Sequence, residues 1–199
     1  MANLDNPRGF QPYKSFVGAP WNSVVRSHPV NDAANIFMFD SLTIGSGLAA
    51  PASADTDLIL GVAVGFGKNS TVTGEMGGSA DGMAFDPDNL LTGSRYYDDS
   101  ENTHTQWNVF YVPAFGNMFV VQADAALTNG LGSAYDQNFT AGNETTGISA
   151  FEVKGGTAAA ATDGVFAHQY VRDPENDVSL ANLDFVGTFE NPVGVSVGS

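Results

Sequence analysis

The sequence predicts an all-β protein, an antiparallel β-barrel or sandwich with an extended N-terminal arm and long loops. Three observations predict it. The apolar runs are short and rich in Val, Ile, Phe and Tyr, the residues that suit a half-buried pleated surface. Glycine (23 of 199 residues) and proline (9) divide those runs at short intervals, as turns between strands require. The helical signal is weak throughout. Many short strands separated by Gly, Pro and Asn make a sandwich or a barrel.

The arm comes first. Residues 1–21 read Met-Ala-Asn-Leu-Asp-Asn-Pro-Arg-Gly-Phe-Gln-Pro-Tyr-Lys-Ser-Phe-Val-Gly-Ala-Pro-Trp. Pro7, Pro12 and Pro20 exclude a helix here, because proline lacks the amide hydrogen and pushes its predecessor toward extended backbone. Phe10, Tyr13, Phe16 and Trp21 are too many large rings for a freely solvated tail. Such a segment needs a surface, supplied by its own domain or by a neighbouring subunit. The charge pattern favours the neighbour. Arg8, Lys14 and Arg26 cluster in the opening stretch of a chain with 7 Lys+Arg against 22 Asp+Glu and a net charge of -15. A locally basic segment on an acidic body is a common mark of an interaction arm.

Strands are expected at 23–30, 35–44, 58–66, 95–98, 107–112, 118–123, 148–153, 164–171 and 183–189. Turn chemistry separates most of them, at Gly45-Ser46-Gly47, from Pro113 to Asn117, at Asn129-Gly130 and from Asp173 to Asp177. Residues 58–66 are apolar on both faces and suit a strand covered on both sides. On 165–171, Phe166, His168 and Tyr170 share one face by the two-residue period. The polar, glycine-rich segments 68–83 and 127–146 read as long loops. The chain thus divides into an arm with its first strand, 1–34, and a single β domain, 35–199, with a loop insertion near 68–83.

Reactive chemistry is sparse. There are no cysteines, so disulfides, thiolate metal sites and a cysteine nucleophile are excluded. His28, His104 and His168 lack metal-ligand spacing, and no Gly-x-Ser-x-Gly elbow is present. Asp173, Glu175, Asp177 and Asp184 loosely resemble the acids of a calcium loop, but Val178 occupies the required glycine place, and a solvated acidic turn is the simpler reading. Gly61-x-x-x-Gly65-x-Gly67 lacks the lysine of a phosphate loop. Tyr96, Tyr97, Trp107, Phe110 and Tyr111 are better explained as packing than as a sugar platform. No catalytic residue, metal or cofactor is therefore expected. The acidic balance argues against nucleic acid and against an anionic membrane surface, and no apolar run is long enough to span a bilayer. No basic start followed by an apolar run marks a secretion signal.

The opening Met1-Ala-Asn-x-Asp-x-Pro-x-Gly-Phe10, followed by Pro12, resembles the start of many capsid decoration, or cement, proteins of tailed bacteriophages. Looser similarity runs through Leu60-Gly-Val-Ala-Val-Gly-Phe66, Tyr96-Tyr-Asp-Asp99, Phe119-Val-Val-Gln-Ala-Asp124, Gly142-Asn-x-x-Thr-Gly147 and Arg172-Asp-Pro-Glu-Asn176. The resemblance implies a structural, non-enzymatic protein made in the bacterial host's cytoplasm and carried on the outer surface of the virion capsid. Its implied partners are the major capsid protein and itself, commonly as a homotrimer. The residues expected to make the contact are Arg8, Phe10, Pro12, Tyr13, Lys14, Phe16 and Trp21. Their extended backbone could also add a strand to a neighbour's sheet edge. The alternative is a virion-surface glycan-binding or adhesion module, such as a head or tail fibre domain. An enzyme would instead need a cleft with a histidine beside a carboxylate.

Overall fold

A computed structural model describes residues 3–31, 34–68, 96–99, 107–159 and 164–193. The protein is all-β, and among the described residues a 3-10 turn at Trp21–Val24 is the one helical element. The strands are β1 (Gln11–Ser15), β2 (Arg26–Pro29), β3 (Ile36–Phe37), β4 (Ser41–Gly45), β5 (Leu48–Pro51), β6 (Ile59–Lys68), β7 (Tyr96–Tyr97), β8 (Trp107–Pro113), β9 (Asn117–Ala123), β10 (Ala134–Asn138), β11 (Glu152–Ala158), β12 (Val165–Tyr170) and β13 (Leu183–Phe189).

Five of them close into a barrel in the order β9-β11-β10-β12-β13, with β13 returning to β9 and β1 added outside the ring along β9. Alternation along each strand fills the interior. Phe119, Val121 and Ala123 of β9 meet Leu183, Phe185 and Phe189 of β13, Val165 and Ala167 of β12, Val153 of β11 and Tyr135 of β10. The closure is narrow. β11 meets β9 through the parallel pair Val153–Ala123, reinforced by Asp124 N–H donating to Val153 O at 2.9 Å and Thr128 N–H to Gly155 O at 2.9 Å. Only glycine fits there, because a Cβ on Gly155 would stand 2.0 Å from the Ala125 carbonyl oxygen. Gly155→Val is therefore expected to destabilise the barrel by about 3 kcal/mol, the upper range for overpacking, read as a shift in urea midpoint.

The second sheet runs β2-β8-β6-β4-β5. A bridge between Val30 and Ala49 brings its two edges together, so this sheet also curls around its own core. β6 serves both cores. Ile59, Val62 and Val64 join the barrel's cluster, while Leu60, Ala63 and Phe66 face the second one. That matches the doubly apolar pattern of 58–66. Bulges at Leu42/Thr43 and Ala63/Gly65 let the strand change the face it presents.

Several boundaries depart from the sequence reading. The stretch 23–30 divides into the 3-10 turn and β2. The stretch 35–44 breaks into β3 and β4, because Phe39 adopts φ 73 and turns the chain. The strand expected at 148–153 starts later, at Glu152, and three further strands, β1 within the arm, β5 and β10, lie outside the expected strands. Residues 127–146 are thus only partly loop. The insertion expected near 68–83 lies, from 69 onward, outside the described residues, as does His104.

Where the chain turns at Phe39, Asp40 is buried, and burial pushes its carboxyl up to about 7 from an ordinary 3.8, against the opposing Ser149 hydroxyl and Phe37 amide. The folded state therefore holds this proton more tightly than the unfolded chain. Its contribution to stability is full below the unfolded value, falls as pH rises toward the folded value, and is gone above it. Glu152, pushed up to about 7 by burial and then by Asp124 and Asp5, acts with the same sign. Asp40→Asn is expected to remove one group's share of the slope, at most about 1.4 kcal/mol per pH unit, and leave that of Glu152, measured by urea unfolding between pH 4.5 and 8.

Candidate functional site: an aromatic docking surface

The arm lies on its own domain. Asn3 is tied to the loop before β13, its side chain donating to Asp177 O and Ala181 O at 2.9 Å and accepting from Asp177 N–H at 2.7 Å. The Gln122 side chain accepts from Asn6 N–H and donates to Leu4 O, both at 3.0 Å. Arg8 pairs with Asp184 at 3.0 Å. Burial raises the Asp184 carboxyl, and the Arg8 guanidinium opposes that rise. Gly9 takes φ +67, which passes the chain beneath Phe39 and Ser149. Phe10 then enters the barrel core with no exposure, its ring 4.8 Å from that of Phe189.

From Gln11 the arm becomes a strand of the barrel's own sheet. β1 pairs antiparallel with β9, with Gln11 opposite Val120 and Ser15 opposite Asn117. The neighbouring sheet edge that the extended backbone was expected to join is therefore, in this chain, its own β9. Pro12 and a register shift around Tyr13 blunt the strand's ladder, which is how natural edge strands discourage further pairing.

The seven residues expected to form one contact are thus divided. Phe10 is core, Arg8 is a half-exposed ion pair, Pro12 is half-buried in β1, and Trp21 packs half-buried on the barrel core beside β8. Tyr13 and Phe16 stay in water, with the Lys14 ammonium 5.1 Å from the centre of the Tyr13 ring. Two residues missed by the sequence reading join them, Val17 and Phe115. Phe16, Val17 and Phe115 are 56%, 89% and 64% exposed.

These rings sit on two tight, adjacent turns. In the first, Ser15 N–H donates to Ala19 O at 3.1 Å, Gly18 N–H to Ser15 O at 2.9 Å, and Ala19 N–H to Ser15 Oγ at 2.9 Å. In the second, the buried Asn117 amide donates to Pro113 O at 2.9 Å and Phe115 O at 3.2 Å, and Gly116 takes φ 78. Phe16 N–H donates to Gly116 O at 2.9 Å and locks the two turns together. On the barrel wall beside them, the ring of His168 lies 6.4 Å from Phe16 and 4.9 Å from Phe166, and its Nε2 meets Thr188 Oγ1 at 2.9 Å. Burial holds the His168 pKa below its ordinary value, with Glu190 opposing.

Elsewhere the chemistry is structural. Asp173 and Asp177 accept from the amides of Glu175 and Ser179, and Asp184 pairs with Arg8, so three of the four acids named in the 173–184 stretch have partners within the fold. His28 Nε2 donates to Gly47 O at 3.0 Å. Tyr97 and Tyr111 are buried in the core of the second sheet. Among the described residues no three His, Cys, Asp or Glu side chains are grouped to hold a metal, and no helix is long and apolar enough to cross a membrane.

Comparison of the chain with protein-family models, with curated proteins and with solved structures finds no match in any of the three.

Proposed function

We propose that this protein is a capsid decoration, or cement, protein that binds the outer surface of a tailed-phage head through Tyr13, Lys14, Phe16, Val17 and Phe115. The observation that carries the reading is the pair of interlocked turns that keep Phe16, Val17 and Phe115 in water. Exposed rings on a mobile loop lose much of their binding energy to ordering. Rings held by main-chain hydrogen bonds have little left to lose. Aromatic anchors of this kind supply most of the energy at protein interfaces. The resemblance of the opening residues to phage decoration proteins supports the choice of partner, the major capsid protein.

The role is mechanical and non-enzymatic. The arm's inner half fastens the contact surface to the barrel, and the outer half with Phe115 meets the shell. Association as a homotrimer at local threefold positions would place three such surfaces on neighbouring shell subunits, so modest contacts add through effective concentration. A body of net charge -15 keeps unbound copies apart in solution.

The test mixes purified protein with heads stripped of their surface proteins. Saturable co-sedimentation, with added density on the outside of the head, is the expected result. A protein that stays in the supernatant at every concentration removes the reading.

A further inference from the structure

Charge is unevenly placed around the docking surface. Acids make up 22 of the 199 residues, yet residues 6–31 and 107–123 contain none. The two stretches are far apart in sequence, and the fold lays them side by side. β1 pairs with β9, β2 pairs with β8, and the turn bearing Phe115 joins β8 to β9. Together they make an acid-free face, on which Tyr13, Phe16, Val17 and Phe115 stand in water.

Two cations on these strands have no acid to pair with. Arg8, at the border, is taken by Asp184. Among the described residues, no carboxylate lies within ion-pairing distance of Lys14 or Arg26. The Lys14 ammonium rests 5.1 Å from the centre of the Tyr13 ring, two residues from Phe16. Arg26 is exposed, opposite Tyr111 on the strand that leads to Phe115. Acids return on the barrel wall beyond, where Glu190 acts on His168.

The face therefore has a sign opposite to that of the body, whose net charge is -15. A lysine on an edge strand also discourages stray strand pairing. That role does not call for acids to be missing from β2, β8 and β9 as well. Complementary potentials select a partner and fix its register, and like charges brought together are strongly penalised. Apolar side chains flanked by unpaired cations thus match apolar side chains flanked by carboxylates. Repulsion from the body's acids is screened beyond about 8 Å at physiological salt, so the short-range attraction of the face decides.

Resting on the capsid-binding reading above, we propose that the docking surface fits an acidic, apolar segment of the shell protein, with Lys14 and Arg26 selecting its carboxylates. The rings supply most of the affinity, because exposed ion pairs contribute modestly. The two cations supply the discrimination.

The experiment compares the full native chain with Lys14→Glu/Arg26→Glu and with Lys14→Arg/Arg26→Lys, which keeps the charge. Melting curves confirm that all three are folded. Co-sedimentation with stripped heads should weaken about tenfold or more on charge reversal, and the charge-keeping variant should retain most of the native binding. A second arm uses immobilised, end-capped peptides Leu-Phe-Xaa-Phe-Leu with Glu, Gln or Lys at the centre. The native chain should prefer Glu over Gln over Lys, and charge reversal should invert that order. The peptide order with no binding to heads removes the capsid reading and leaves this inference standing. Head binding that charge reversal leaves intact, or a native chain without the peptide preference, overturns the inference. So does self-association, seen by sedimentation without heads, that charge reversal abolishes while head binding persists, because the face then belongs to a second copy of the chain.

Discussion

Replacing Phe16 and Phe115 together by serine is expected to weaken binding to stripped heads by about 100- to 1,000-fold while leaving the melting temperature nearly unchanged. The binding loss follows from two aromatic anchors at about 2 kcal/mol each, with about 1.4 kcal/mol per decade of affinity. The unchanged stability follows from exposure, since both rings are more than half in water and the hydrogen bonds that shape their turns come from main chain, Ser15 and Asn117. Co-sedimentation gives the first quantity and circular dichroism melting the second. Undiminished head binding by the folded double variant would show that the shell contact lies elsewhere. Phe16→Tyr is the conservative control, as it keeps the ring.

Phe10→Ala is expected to cost about 3–5 kcal/mol of folding stability, the usual range for a buried phenylalanine cut to alanine. Phe10 has no exposed surface, and its ring sits 4.8 Å from Phe189, which in turn lies 5.3 Å from Phe119. The cavity would open where the arm enters the barrel, so β1 and the turn that carries Phe16 should loosen with it. Urea unfolding measures the loss, and hydrogen exchange at 11–16 locates it. A change below about 1 kcal/mol, the size of a surface effect, would mean that the arm is not anchored in the core. The same reasoning makes deletion of the whole arm a poor test of docking. It would remove a core residue and a strand along with the contact surface.

Much of the fold is legible along the chain because it rests on local periodicity. Residues 183–189, with Leu183, Phe185 and Phe189 on one face by the two-residue period, form β13 over those same residues. Gly45-Ser46-Gly47 supplies the two positive-φ residues, Ser46 and Gly47, that a two-residue hairpin turn between β4 and β5 requires. The failures have equally local causes. β5 reads Leu-Ala-Ala-Pro, with no β-branched or aromatic residue to announce it. β10 reads Ala-Tyr-Asp-Gln-Asn, and its inward Gln137 meets its acceptor oxygen's partner only in Ser41, 96 residues away, which donates to it at 2.8 Å. β11 carries Gly155 and Gly156, which look like a turn until the closing barrel demands a residue without a side chain.

The site divides in the same way. The arm's extended backbone, its rings and its basic charge are properties of nearest neighbours in sequence, so the chain alone determined them, as it determined the all-β class. Which rings would be spent on the protein's own core, and which left for a partner, was decided only in three dimensions. Phe10 and Phe16 are the same residue type six positions apart. One meets Phe189 inside the barrel, and the other rides a turn fixed by Gly116, a hundred residues downstream. Burial is a property of what the folded chain brings alongside, and no local pattern carries it. For that reason Phe115 and the burial of Asp40 came to light only with the tertiary structure.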